Sequence, residues 1–246
     1  MLDFRHFDVM TFDCYGTLID WETGILGVLG ALRGAHGLDA TDDELLGCFS
    51  RAESHVQRSY YRPYREVLRE VMKQIALHYH VSPGDYDEDA LADSLAGWRP
   101  FDDTVQSLAT LKQYFRLGII SNIDNDLFEQ SHAHLGTEFD WTITAQDVGA
   151  YKPALRNFTY ARDEIGVHPT RILHVAQSLF HDIRPAKTLD WQAVWVDRHR
   201  GSGGGATPGA AAEPDLAVPD LAALAAMVGD QLGPPVAKSQ QAHFYI

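Results

Sequence analysis

The chain has 246 residues, 45% of them hydrophobic, and sets 34 acidic against 20 basic side chains for a formal net charge of -14. That sign repels a phosphate backbone, so nucleic acid is excluded as an expected partner. No apolar run approaches the roughly 18 residues that cross a bilayer, and Met1-Leu2-Asp3-Phe4-Arg5 lacks a signal peptide's basic start and apolar centre, so a cytoplasmic protein is expected.

The first predicted element is a strand over 7–12, an apolar run that ends at Asp13 and is followed by a Gly-Thr turn. Helical spacing then sets in. Ile25, Leu26, Val28, Leu29 and Leu32 share one face, and Thr41-Asp42-Asp43-Glu44 forms a capping-box pattern ahead of Leu45, Leu46 and Phe49. Further helices are predicted over 63–79, with Pro63 acceptable in a first turn, and over 87–98. The span 20–98 is therefore expected to be a helical insertion. Strand-like runs resume at 117–120, 141–144, 172–175 and 193–196, separated by helical patterns. This alternation predicts an α/β protein with a Rossmann-like parallel sheet flanked by helices, its core formed by 1–19 and 99–200. The Gly, Ala and Pro tract 201–215 has little to bury and is expected to be a flexible surface loop. A helix over 216–232, carried by Leu221, Leu224 and Met227, is expected to complete the core, with 233–246 a loose tail.

Polar residues follow four predicted strands: Asp13, then Ser121-Asn122, then Lys152, then Gln177-Ser178 with Asp182. In an open parallel sheet such ends face one crevice. Each residue also has an ordinary reading, since Ser121 and Asn122 could open a turn, Lys152 could be a solvated loop lysine and Asp182 could cap a helix. Their recurrence at one sheet edge favours a site. The two cysteines, Cys14 and Cys48, support neither a disulfide framework nor a cysteine zinc site. His78 with His80, and His132 with His134, have a two-residue spacing that sends them to different helix faces; His174 with His181 is the remaining pair, and no metal is expected.

The segment Phe7 to Asp20, FDVMTFDCYGTLID, resembles motif I of the haloacid dehalogenase superfamily. Ile120-Ser121-Asn122 resembles its motif II, Tyr151-Lys152-Pro153 its motif III, and His174 through Asp182 its motif IV. The resemblance covers residues 7 to 198 and implies that the inserted helices form a cap over the crevice. Two positions depart from the superfamily's phosphatases: Tyr15 stands where they place an acidic proton donor, and Gln177 where they place a magnesium-ligating Asp. A phosphoryl substrate needs a cation and a protonated leaving group. A halide leaves unprotonated, so both departures point toward dehalogenation, and the Asp13-x-Tyr15-Gly16-Thr17 form resembles the type II 2-haloacid dehalogenases.

What the resemblance implies is a metal-free hydrolase acting on short 2-haloalkanoic acids. Asp13 would be the nucleophile forming an aspartyl ester, Lys152 would hold it ionised, and Thr17 would fix one of its oxygens. Asp182 would position or deprotonate the hydrolytic water, with Ser178 or Gln177 assisting. Ser121 and Asn122 would receive the substrate carboxylate. Tyr15 and a cap arginine, with Arg51 nearest by rough alignment and Arg58, Arg62 and Arg65 as others, would take the halide. The expected partner is a small halogenated carboxylate, and the cap's apolar helices could supply a homodimer surface. Two alternatives stay open: a Mg2+-dependent phosphatase on a small phosphomonoester, and a catalytically silent binding domain.

Overall fold

The computed structural model describes residues 2–58, 60–200 and 205–235. Six parallel strands form one sheet: β1 (Val9–Phe12), β2 (Arg116–Ser121), β3 (Trp141–Thr144), β4 (Ile172–Ala176), β5 (Gln192–Val196) and β6 (Leu216–Val218), in the order β3-β2-β1-β4-β5-β6. β1 is buried along its whole length, as expected of a parallel strand covered on both faces. The strand order reverses between β1 and β4, and a crevice opens outside the carboxyl ends at such a switch point. Phe12 lies level with Ile119 of β2 and Val175 of β4, so Asp13 emerges there beside residues 120 and 176.

Four helices intervene between β1 and the next core helix: α1 (Trp21–His36), α2 (Asp42–Gln57), α3 (Tyr64–His78) and α4 (Ala90–Ser94). α1 starts on the Asp20 side chain, which accepts from Thr23 N, and ends at Gly37 in the left-handed conformation. α2 starts on the predicted capping box, with Thr41 and Glu44 bonding reciprocally. α2 packs against α1 and α3, and α4 packs against both of those helices. Trp98, just beyond α4, lies so close to Gly24 of α1 that a Cβ there would overlap its indole. The remaining helices are α5 (Thr104–Leu111), α6 (Asn125–Leu135), α7 (Ala145–Val148), α8 (Arg156–Ile165), α9 (Arg184–Thr188) and α10 (Leu221–Leu232).

Strand alternation divides the buried side chains between two layers. Met10, Phe12, Leu117, Ile119 and Val175 join Ile25, Phe49 and Leu68 of the inserted helices in one continuous cluster. Val9, Ile120, Ile172 and Ala193 face Phe158, Ile183 and Trp191 in the other.

Three expectations need correction. Residues 216–218 are strand, not helix: the Leu-Ala-Val run pairs with the open edge of β5, Val194 opposite Leu216 and Val196 opposite Val218. α10 begins only after Asp220, whose side chain caps it by accepting from Ala223 N. The tract 201–215 is not simply a surface loop, because Ala206 is fully buried and its N–H donates to Glu22 Oε1 at 2.7 Å. Small residues pack closely here, which composition alone does not reveal. The span 87–98 holds the short α4 and a 3-10 turn, Leu95–Gly97, in place of one helix. Residues 201–204 and the expected tail over 236–246 lie outside the described residues.

Candidate active site

Asp13 leaves β1 with its N–H donating to Val175 O at 3.1 Å, which ties it to the neighbouring strand end. The next residues fold back tightly: Gly16 takes φ +90, a conformation that favours glycine, and Leu18 N donates to Cys14 O at 2.7 Å. That turn brings the Thr17 hydroxyl to Asp13 Oδ2 at 2.7 Å, while Thr17 Oγ1 accepts from Gln177 N at 2.9 Å. Arg198, following β5, grips the Thr17 carbonyl at 2.8 Å and Asp103 at 2.8 Å.

Lys152 is buried, with its ammonium donating to Asp13 Oδ1 at 2.8 Å, Asp182 Oδ1 at 2.6 Å and Ile120 O at 2.7 Å. A buried charge is tolerable only when paired and bonded, and all three donors of this ammonium are used. Asn122 fixes the lysine's backbone, accepting from Lys152 N at 2.6 Å and donating to Lys152 O at 3.1 Å. Its amide is thus engaged mainly in positioning. Asp182 sits in a π-helical turn, Leu179–Ile183, capped by Ser178 Oγ accepting from His181 N at 2.9 Å. His174 Nε2 lies 3.0 Å from Asp182 Oδ1, and its Nδ1 lies 2.9 Å from Thr11 Oγ1. With the proton on Nε2 the ring donates to Asp182 and accepts from Thr11.

The two carboxyls sharing Lys152 are not equivalent. Burial pushes Asp13 up from the ordinary carboxylate range; Lys152 pulls it back and the like charge of Asp182 adds to the rise. Burial acts on Asp182 too, but Lys152 and His174 outweigh it and hold that carboxyl low. Burial works against the Lys152 charge, yet its two carboxylates raise it overall, so the ammonium persists at neutral pH.

These groups open onto a cavity of about 40 Å³, bounded on the strand side by Asp13, Ser121, Lys152 and Asp182, and on the helix side by Trp21, Glu53 and Tyr64. Tyr15, Asn122, Ser178, His181 and Thr207 complete the wall. Among the described residues, Ser121 Oγ and Asp182 Oδ2 are buried without a hydrogen-bond partner, and both belong to this wall. Buried polar groups are rarely left so, and a small polar ligand would satisfy them. A second cavity of about 450 Å³ shares Lys152 and His181 and is flanked by Arg58, Phe180 and Pro208.

Asp13, Thr17, Lys152 and Asp182 are therefore brought together in one bonded set, and Ser121, Asn122, Ser178 and Tyr15 border the same cavity. The Tyr15 hydroxyl is bonded to Ser131 Oγ at 2.8 Å. Two expectations differ. The Gln177 side chain is not part of the described wall; its Oε1 accepts from Thr207 at 3.3 Å. Arg51 is exposed and borders a different cavity with Asp43, Glu44 and Tyr79. Helical phase explains this: the buried stripe of α2 runs through Leu45, Phe49, Ala52, Glu53 and Val56, and two residues along a helix is a turn of about 200°. No arginine belongs to the described wall of the Asp13 cavity.

Sequence reasoning missed Glu53, Thr207 and the Thr11–His174 support. Glu53 carried a signal, being an acid on an otherwise apolar helical stripe, and His174 carried the same signal in a buried strand. Glu53 is 4% exposed, accepts from the Tyr64 hydroxyl at 2.6 Å, and is raised by burial to about 7. Among the described residues no cluster of three His, Cys, Asp or Glu is arranged to hold a metal ion. The donor set fits a divalent ion poorly, because among the described residues only two carboxylates, Asp13 and Asp182, line the strand side of this cavity and one ammonium already bridges them.

The family profile of the haloacid dehalogenase-like hydrolases matches residues 7–190. The chain belongs to that family. It is 25% identical over 203 residues to an (S)-2-haloacid dehalogenase of Pseudomonas fluorescens, covering 78% of this chain and 85% of the relative. A shorter match, 33% identical over 102 residues and 40% of this chain, is to a glyceraldehyde 3-phosphate phosphatase of Methanothermobacter thermautotrophicus. In fold, the L-2-haloacid dehalogenase of Xanthobacter autotrophicus with chloropropionic acid covalently bound superimposes with a TM-score of 0.73 at 21% identity, covering 90% of this chain and 98% of that one.

Proposed function

We propose that this hydrolase releases halide from short 2-haloalkanoic acids through an aspartyl ester on Asp13, without a metal ion. The observation that carries the reading is the bonded set in which Lys152 joins Asp13 and Asp182 while Thr17 holds the second Asp13 oxygen. In the first step an Asp13 oxygen bonds to C2 and the carbon–halogen bond breaks, the halide keeping the electron pair. In the second, water adds to the Asp13 carboxyl carbon, Asp182 takes its proton, and the 2-hydroxy acid leaves. Splitting the displacement in this way is what covalent catalysis offers. Asp182 suits the base role because its Oδ1 is anchored by Lys152 and His174 while Oδ2 is unpartnered. The Ser121 hydroxyl is the candidate donor to the substrate carboxylate. The several (S)-2-haloacid dehalogenases among the relatives support the substrate class and the (S) enantiomer.

A magnesium-dependent phosphatase is the second reading, favoured by the glyceraldehyde 3-phosphate phosphatase similarity. Tyr15 and Gln177 stand against it, together with the poor fit of the donor set. The test is halide release from each enantiomer of 2-chloropropionate, with EDTA and with magnesium, beside phosphate release from an aryl phosphate. Metal-independent halide release that Asp13→Asn abolishes is expected. Phosphate release that requires magnesium, with no halide, would reverse the assignment.

A further inference from the structure

Among the described residues, the wall opposite Asp13 supplies no cation, although the proposed substrate is an anion. The strand side holds Asp13, Asp182 and Lys152, two negative charges against one positive, and the helix side adds the carboxyl of Glu53. With Glu53 ionised, a bound monocarboxylate would be a fourth negative group sharing one ammonium in a cavity of about 40 Å³. Low-dielectric surroundings make that arrangement costly, and a group facing it will protonate where it can.

We propose that Glu53 determines specificity for small monocarboxylate anions by meeting them as a neutral carboxylic acid, so that binding takes up one proton. The substrate class rests on the dehalogenase reading. Tyr64 donates to Glu53 Oε1 at 2.6 Å, and in its neutral form the Glu53 carboxyl carries a proton that it can donate in turn. Such a donor does locally what an arginine would do, without fixed charge.

The groups around Glu53 are separable. On its own helix Gln57 donates to it. Tyr64 on α3 and Tyr151 after α7 are pushed up by burial, and Tyr15 likewise. Across the cavity, Lys152 is raised, Asp182 is lowered and burial pushes His181 down to about 4. Burial lifts Glu53 to about 7, and Asp13 is the other carboxyl raised. Variants tell those two apart.

The test is calorimetric binding of propionate, a non-reactive probe, from pH 6 to pH 9 in paired buffers of different ionisation enthalpy. Wild type is expected to take up about one proton per propionate at pH 8, with affinity falling about tenfold per pH unit above neutrality. In Glu53→Gln the uptake should vanish and the affinity become nearly independent of pH, while Asp13→Asn should keep both. Tyr64→Phe removes a donor that favours the ionised form, so its affinity should start to fall at higher pH than in wild type. Propionate binding without proton uptake, uptake that persists in Glu53→Gln, or no binding at pH 6 would each overturn the proposal. Halide assays fail separately: no halide release alongside proton-linked binding removes the dehalogenase reading alone, and halide release without proton-linked binding removes this one alone.

Discussion

At the scale of single residues, the site is organised around one ammonium. Lys152 neutralises one of two buried carboxylates and orients both, so charge and shape are needed together. Removing one partner of a buried ion pair typically costs about 3–5 kcal/mol, because the remaining charges are uncompensated. Lys152→Ala is accordingly expected to abolish turnover and to lower stability by about that amount. Lys152→Arg keeps the charge and should lose less of both; parallel urea melts and rate measurements on the two variants check the order. Equal behaviour of both variants with wild type would make the lysine a bystander. Asp13, Lys152 and Asp182 were legible in the sequence because each lies on the carboxyl side of a strand-like run, Asp13 directly after it, and matches a motif. The roles of Asn122 and His174 were not, since both depend on which backbone and side-chain groups the folded sheet places opposite them.

At the scale of elements, α2 illustrates how far a pattern can be taken. Its capping box and apolar stripe fixed its start and inward face, yet the halide role was assigned to Arg51, which that same periodicity turns away from the cavity. Glu53 sits on the inward face instead, and its burial has a thermodynamic signature. Its carboxyl rises from 4.5 to about 7 on folding, so the folded state holds a proton that the unfolded chain has released. Stability from this group is therefore greatest below about pH 4.5 and declines by about 1.4 kcal/mol per pH unit until the folded carboxyl ionises. Glu53→Gln should be more stable than wild type at pH 8 by up to about 3 kcal/mol, with the gain shrinking toward zero at pH 4.5. Denaturant melts at both pH values check this, and a difference independent of pH would contradict it. β6 escaped notice because three residues are too few to show a period, and Thr207 because its position depends on how the chain returns from β5.

At the scale of the whole molecule, one apolar cluster runs from the sheet into the inserted helices, and the cavity lies between the two. The parallel α/β sheet and the placement of the helical insertion were readable from alternating patterns, whereas the strand order emerges only in the folded sheet. The size of the cavity was not, because it depends on how closely Trp21, Glu53 and Tyr64 approach the strand ends. About 40 Å³ accommodates only a few water-sized groups. Two- and three-carbon haloacids should therefore be turned over, with kcat/KM falling steeply by 2-chlorohexanoate; a flat series would show that the helices open more widely than the cavity implies.

The central claim, covalent catalysis on Asp13, is tested most directly by a single turnover of (S)-2-chloropropionate in ¹⁸O-water with EDTA, followed by mass analysis of the Asp13 peptide. The account predicts halide release with one ¹⁸O in that peptide, because water attacks the aspartyl carbonyl. Halide release with ¹⁸O found only in the lactate product would mean that water attacks C2 directly, and would contradict it.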